Sequence, residues 1–165
     1  MKKIYLDETQ SDCCTAVFVS DAEVIRAGAT VYSMPVSDKN DEYKRLAEDY
    51  DVRFIFDDNP PAINFYTIPL INIFATDSNG GYIASLGQIF DIESNAPICY
   101  IDSDKKCYVI AENGKEFLKN ISNWKDKKEL INDIKFYYSK EEAEKENEFL
   151  DIKELEKSIR GENYD

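Results

Sequence analysis

The alternation of apolar and polar positions is clearest between Pro69 and Ile121. Ile63–Ala75 is a largely apolar, β-branched run with Pro69 as an interruption. Proline cannot donate to a ladder, so a bulge or an edge position is expected there. The run ends at Thr76-Asp77-Ser78-Asn79-Gly80-Gly81. Asn-Gly tolerates positive φ, which predicts a hairpin returning through Tyr82–Leu86. A second hairpin is predicted from Ile98–Ile101, a turn at Asp102–Lys105, and Cys107–Ala111. Asn113 or Glu112 then opens a helix that carries Phe117, Leu118 and Ile121 on one narrow face.

Outside this stretch the pattern is weaker. Cys14–Val19 reads as a short strand. Ser20 with Glu23 makes a capping box, so a short helix is expected from Asp21 to Ala27, stopped by Gly28. Thr30–Met34 is a further strand, broken by Pro35. Ser37 or Asp38 caps a helix from Asn40 to Tyr50, with Tyr43, Leu46, Ala47 and Tyr50 on one face. Val52–Phe56 reads as a strand, and the loop after it carries Pro60-Pro61. Beyond Trp124, residues Leu130, Ile131, Ile134, Phe136 and Tyr137 suggest one amphipathic helical patch. Ser139 caps a charged helical tail with a thin stripe of Phe149, Ile152, Leu155 and Ile159. The expected organisation is one domain over residues 1–138 and a charged helical extension over 139–165.

A chain of 165 residues with 43 % hydrophobic content is long enough for one domain with a real core. Charge changes the picture more. The net charge is −13, from 33 acidic and 20 basic residues. Such a chain repels phosphate backbones and anionic lipid, so neither nucleic acid nor a membrane is an expected partner. A basic protein would be drawn in by the long-range field, although the charge also serves solubility alone. MKKIYLDETQ lacks the apolar core of a signal peptide, and no stretch reaches the ~20 apolar residues of a spanning helix. A cytoplasmic protein is expected.

The sequence contains no histidine, the commonest general base near neutral pH and the commonest metal ligand. A Ser or Cys triad of the usual kind is therefore excluded. Cys13 and Cys14 are adjacent and make no CxxC knuckle. Cys99 and Cys107 flank a turn and can face each other across a hairpin, as buried thiols. Asp102-Ser103-Asp104 has the form of a metal-binding pair but also of a tight turn, and turn chemistry explains the spacing. Asp77-x-Asn79-Gly80 lacks the further oxygen ligands of a calcium loop. No glycine-rich phosphate loop precedes a helix. No cofactor and no metal is expected.

One acidic group stands out. Glu48, Asp49, Asp51, Asp57 and Asp58 bracket the VRFIF strand. They can mimic a run of phosphates and dock against a basic active site, or they can be an ordinary solvated helix end and loop.

The segments IFATDSNGGYIA and PICYIDSDKKCYVIAENGKEFL carry a resemblance. Phe74, Ala75, Asp77, Gly80, Gly81 and Tyr82 fit one motif; Ile98, Tyr100, Ile101 and Asp102 a second; Ile110, Ala111, Asn113, Glu116, Phe117 and Leu118 a third. In this order they resemble the carboxyl-terminal half of the SUKH superfamily, over roughly a third of the chain. The family's L-P-x-x-Y/F stretch is present only in stretched form, as Met34-Pro35 followed by Tyr43. The resemblance implies an α+β fold, a twisted, mostly antiparallel sheet with helices packed on one face and at one edge. It implies a non-catalytic protein-binding domain, an immunity protein that neutralises a cognate bacterial toxin of nuclease or deaminase type, and no catalytic residues. Two other readings remain from the residues: a carboxylate-dependent hydrolase or metal-using transferase, and a regulatory adaptor that pairs its charged terminal helix with another.

Overall fold

The computed structural model describes residues 2–9 and 21–151. In chain order these form β1 (Lys2–Asp7), β2 (Ala22–Ala27), β3 (Ala29–Val31), α1 (Asp41–Tyr50), β4 (Arg53–Phe54), β5 (Tyr66–Ile68), β6 (Ile71–Thr76), β7 (Tyr82–Leu86), β8 (Ile98–Ile101), β9 (Cys107–Ala111), α2 (Gly114–Lys119), β10 (Glu129–Ile131), β11 (Lys135–Tyr137) and α3 (Lys140–Glu144). Short 3₁₀ segments run over Val36–Asp38 and Ile121–Lys127. The fold is α+β, built on a twisted and mostly antiparallel sheet.

Among the described residues the main sheet has seven strands, in the order β10-β9-β8-β7-β6-β3, with β4 also paired to β6. Both hairpins form where the alternation predicts them: β6 with β7 around Asn79-Gly80, and β8 with β9 around Ser103. The outer edge of β6 is shared. Parallel β3 covers Ile71–Ile73 and antiparallel β4 covers Ala75 and Thr76. Two smaller ladders, β1 with β2 and β11 with β5, complete the pairing.

The central strands are buried on both faces, so a one-residue slip would expose a whole row. On one face Phe74, Ile83, Ile98, Tyr100 and Ile110 meet Leu46 of α1, Phe117 of α2, and Ile121 and Trp124 of the 3₁₀ segment. On the other face Ile71, Ile73, Ala84, Cys99 and Ile101 meet Ile55, Phe65 and Ile134 from extended segments. Full burial of a side chain such as Phe74 or Phe117 contributes about 1.5–3 kcal/mol. A third cluster joins Ala27, Tyr66 and Ile68 to Ala143 of α3, with Tyr5 and Phe149 against it. No helix of the described residues is long and apolar enough to cross a membrane.

Local signals decide where helices start. Asn113 caps α2 and Ser139 caps α3 as expected, each accepting a backbone N–H of its first turn. The cap of α1 is Asn40, not Ser37 or Asp38, which lie in the 3₁₀ turn before it.

The structure overturns several sequence expectations. The helix expected from Asp21 to Ala27 is strand β2, in parallel register with β1 from Lys2↔Ala22 to Asp7↔Ala27. Asp21 sits at φ 65, which no helix start allows, and Gly28 at φ 120 is a kink between β2 and β3 rather than a helix stop. The helical patch expected at 130–137 is two strands, because Leu130 pairs with Tyr108 and Phe136 with Thr67. The run Ile63–Ala75 is split after Ile68 into β5 and β6, which pair with different partners. The bulge lies between Ile73 and Ala75, not at Pro69. The helix after Ser139 ends at Glu144, and Phe149 then bridges to Tyr5 of β1. The strand expected at Cys14–Val19 and the stripe residues Ile152, Leu155 and Ile159 lie outside the described residues.

Candidate functional site

The five acidic residues bracket β4, and most are fastened into the protein. Glu48 and Asp49 lie in the last turn of α1, and Asp51 is its C-cap, at φ 59. Asp51 Oδ1 accepts the Ser78 backbone N–H at 3.0 Å. Its Oδ2 accepts the Ser78 hydroxyl at 2.7 Å and the Lys125 ammonium at 2.9 Å. Arg53 stands 3.6 Å away. Burial works against the charge on Asp51, but Lys125 and Ser78 outweigh it and hold the carboxyl below its ordinary range. Asp58 accepts from Lys39 at 2.7 Å, which lowers its pKa in the same direction. Asp49 lies 3.8 Å from Arg45. Asp57 accepts the Ser33 hydroxyl. Asp49, Asp51 and Asp58 are thus matched by cations, and the five do not present one uncompensated anionic surface.

Two concave features flank this group. Glu48, Asp49 and Asp51 line a small recess of about 210 Å³ against Ser122–Asp126. A larger groove of about 850 Å³ runs between the first turns of α1 and β4. Its floor is aromatic: Tyr43 meets Phe54 and Phe56 edge-on, at 5.2 and 5.4 Å. Its walls carry Lys39, Lys44 and Arg53 beside Asp41, Asp58 and Asp77. The opposed charges leave the groove without a dominant sign.

A cluster of exposed apolar side chains lies elsewhere, on the loop from Gly87 to Pro97 and at Tyr32 beside it. Ile89 is 54 % exposed, Ile92 37 % and Tyr32 38 %. Together with Phe90 and Asp91 they line a recess of about 460 Å³. Its base is rigid. Phe90 stacks on the buried Phe74 at 4.0 Å between ring centres. The Phe90 backbone N–H donates to Asn72 Oδ1 at 2.8 Å, and Tyr32 stands edge-on to the Phe90 ring. Gly87 N–H donates to Leu70, and Leu86 N–H to Pro97. Gly114 opens α2 against the loop, where an added Cβ would stand 3.2 Å from the Ile92 Cα. Asp91 turns the loop by accepting the Glu93 N–H.

The remaining candidates resolve into structure. Asp102 Oδ1 accepts the N–H groups of Asp104 and Lys106 and closes a turn. Asp77 Oδ1 accepts from Asn79 and Gly81. Its Oδ2 accepts the Tyr100 hydroxyl at 2.6 Å. Burial, and then Asp77, pushes that phenol upward. Cys99 and Cys107 are buried neighbours, and the contact with Cys107, followed by burial, pushes the Cys99 thiol upward. Among the described residues no three Asp, Glu or Cys side chains converge as a cation site.

No protein-family model, curated protein or solved structure matches the chain.

Sequence reasoning named the acids because charge is visible in any sequence. It passed over Ile89 and Ile92, which stand in a segment punctuated by Gly87, Asp91 and Pro97 and too irregular for a strand or a helix. The available signal was four consecutive residues, Ile89-Phe90-Asp91-Ile92, with three large apolar side chains between Gly87 and Pro97.

Proposed function

We propose that this chain is a non-catalytic protein-binding domain that captures a basic partner, and that it is a SUKH-like immunity protein whose partner is a bacterial toxin of nuclease or deaminase type. The observation that carries the binding reading is the cluster of Tyr32, Ile89 and Ile92, large apolar side chains left open to water over a locked base. Surfaces of this kind mark contact sites for other macromolecules. The net charge of −13 favours a basic partner and speeds its capture. The toxin and the family come from the sequence motifs around Asp77, Tyr100 and Asn113.

The test is calorimetric titration of the purified chain against any toxin encoded beside its gene, with toxin activity followed in parallel. Saturable binding with Kd below about 1 μM, together with loss of toxin activity, is the expected result. A folded sample that neither binds nor inhibits that toxin would overturn the immunity reading.

A further inference from the structure

We infer that the partner docks on the Tyr32–Ile89–Ile92 recess, and that it does so with an apolar or aromatic side chain flanked by lysine or arginine. This inference rests on the protein-binding reading above and names its site.

Three observations converge. Three of the six large hydrophobic side chains exposed among the described residues lie around this one recess. The loop that carries two of them is fixed from below by the Phe74–Phe90 stack and by Asn72, so little ordering cost remains on binding. The rim is anionic. Asp91 lines the recess. Its carboxylate forms no ion pair with a described residue, in contrast with Asp49, Asp51 and Asp58. An apolar centre with an unmatched acid at its edge complements a plug with a basic collar. Asp49 and Asp51 at the end of α1 already have cations and stand outside the contact.

The test uses the ¹⁵N-labelled full chain and two end-blocked tripeptides, Arg-Trp-Arg and Glu-Trp-Glu. Amide shifts centred on residues 89–92 and 32–33 are expected with Arg-Trp-Arg. Ile89→Asp should weaken that binding by about thirtyfold, and Glu-Trp-Glu should bind about tenfold more weakly. Asp91→Asn should lower affinity several-fold at low salt and less at high salt. Shifts centred on the α1–β4 groove or on Glu48 and Asp49, or no shifts at all, overturn the inference. Sedimentation tests the other occupant: a dimer that Ile89→Asp dissolves would make a second copy the ligand, and would also overturn it. The two readings fail separately. A neighbouring toxin that does not bind, while Arg-Trp-Arg still lands at Ile89, sinks the toxin alone. A toxin that binds Ile89→Asp as well as wild type sinks this docking site alone.

Discussion

The carboxyl end of α1 and the loop from Gly87 to Pro97 are both surface regions, and they use their side chains in opposite ways. At the end of α1, polar groups face inward to one another: Asp51 gathers Ser78, Arg53 and Lys125, and the Trp124 indole donates to the Tyr50 carbonyl at 2.8 Å. These contacts satisfy the helix C-terminus and tie α1 to the β6–β7 turn and to the 3₁₀ segment. In the loop, the polar and aromatic groups that face inward serve as an anchor, while Ile89 and Ile92 are left outside. A group with its partners already in place has little left to offer a ligand. A surface that is rigid beneath and unpartnered above retains its binding capacity.

This contrast assigns different phenotypes to the two regions. The largest effect is expected below the loop. Phe74→Ala removes the floor under Phe90 and should cost about 3–5 kcal/mol of unfolding free energy in urea, with faster hydrogen exchange at Phe90. Gly81→Ala should cost about 1–3 kcal/mol, because a Cβ there would lie 2.5 Å from two ring carbons of Tyr100. Adding Tyr100→Phe should not rescue it, since the ring carbons remain.

Asp51→Asn keeps a residue that tolerates the left-handed cap and removes the charge. It should cost about 1–2 kcal/mol at pH 7. The folded carboxyl of Asp51 is held below its ordinary value. Its contribution is therefore complete above about pH 4 and is lost as pH falls through the folded value. The gap between wild type and Asp51→Asn in urea melts should be full at pH 7 and narrowed at pH 3. A gap that widens in acid would refute the assigned electrostatics. The smallest effect is expected at the exposed loop side chain: Ile89→Asp should change stability by no more than about 0.5 kcal/mol. A large loss there would mean that the patch is part of the core and would erase the contrast.

The half of the fold that was legible in the sequence is the half with local signals. Asn79-Gly80, the alternation through Tyr82–Leu86 and Cys107–Ala111, and the cap at Asn113 act over a few residues. What could not be read depends on distant partners. Ala22–Ala27 is a strand only because Lys2–Asp7 lies beside it, and Glu129–Ile131 only because β9 does. The contacts of the acidic group are long-range in the same way: Ser78 and Lys125 stand 27 and 74 residues from Asp51. Composition gave the charges and could not show that they were already matched. The apolar recess needed Tyr32 and Ile89 brought together over Phe90, which is again a long-range fact.

The most direct test is a paired affinity measurement with the Arg-Trp-Arg tripeptide. Ile89→Asp is compared with the double variant Glu48→Gln, Asp49→Asn. The first should lose about thirtyfold in Kd, while the second stays within about threefold of wild type. The reverse order, with the α1 acids dominating and Ile89 silent, would contradict the account.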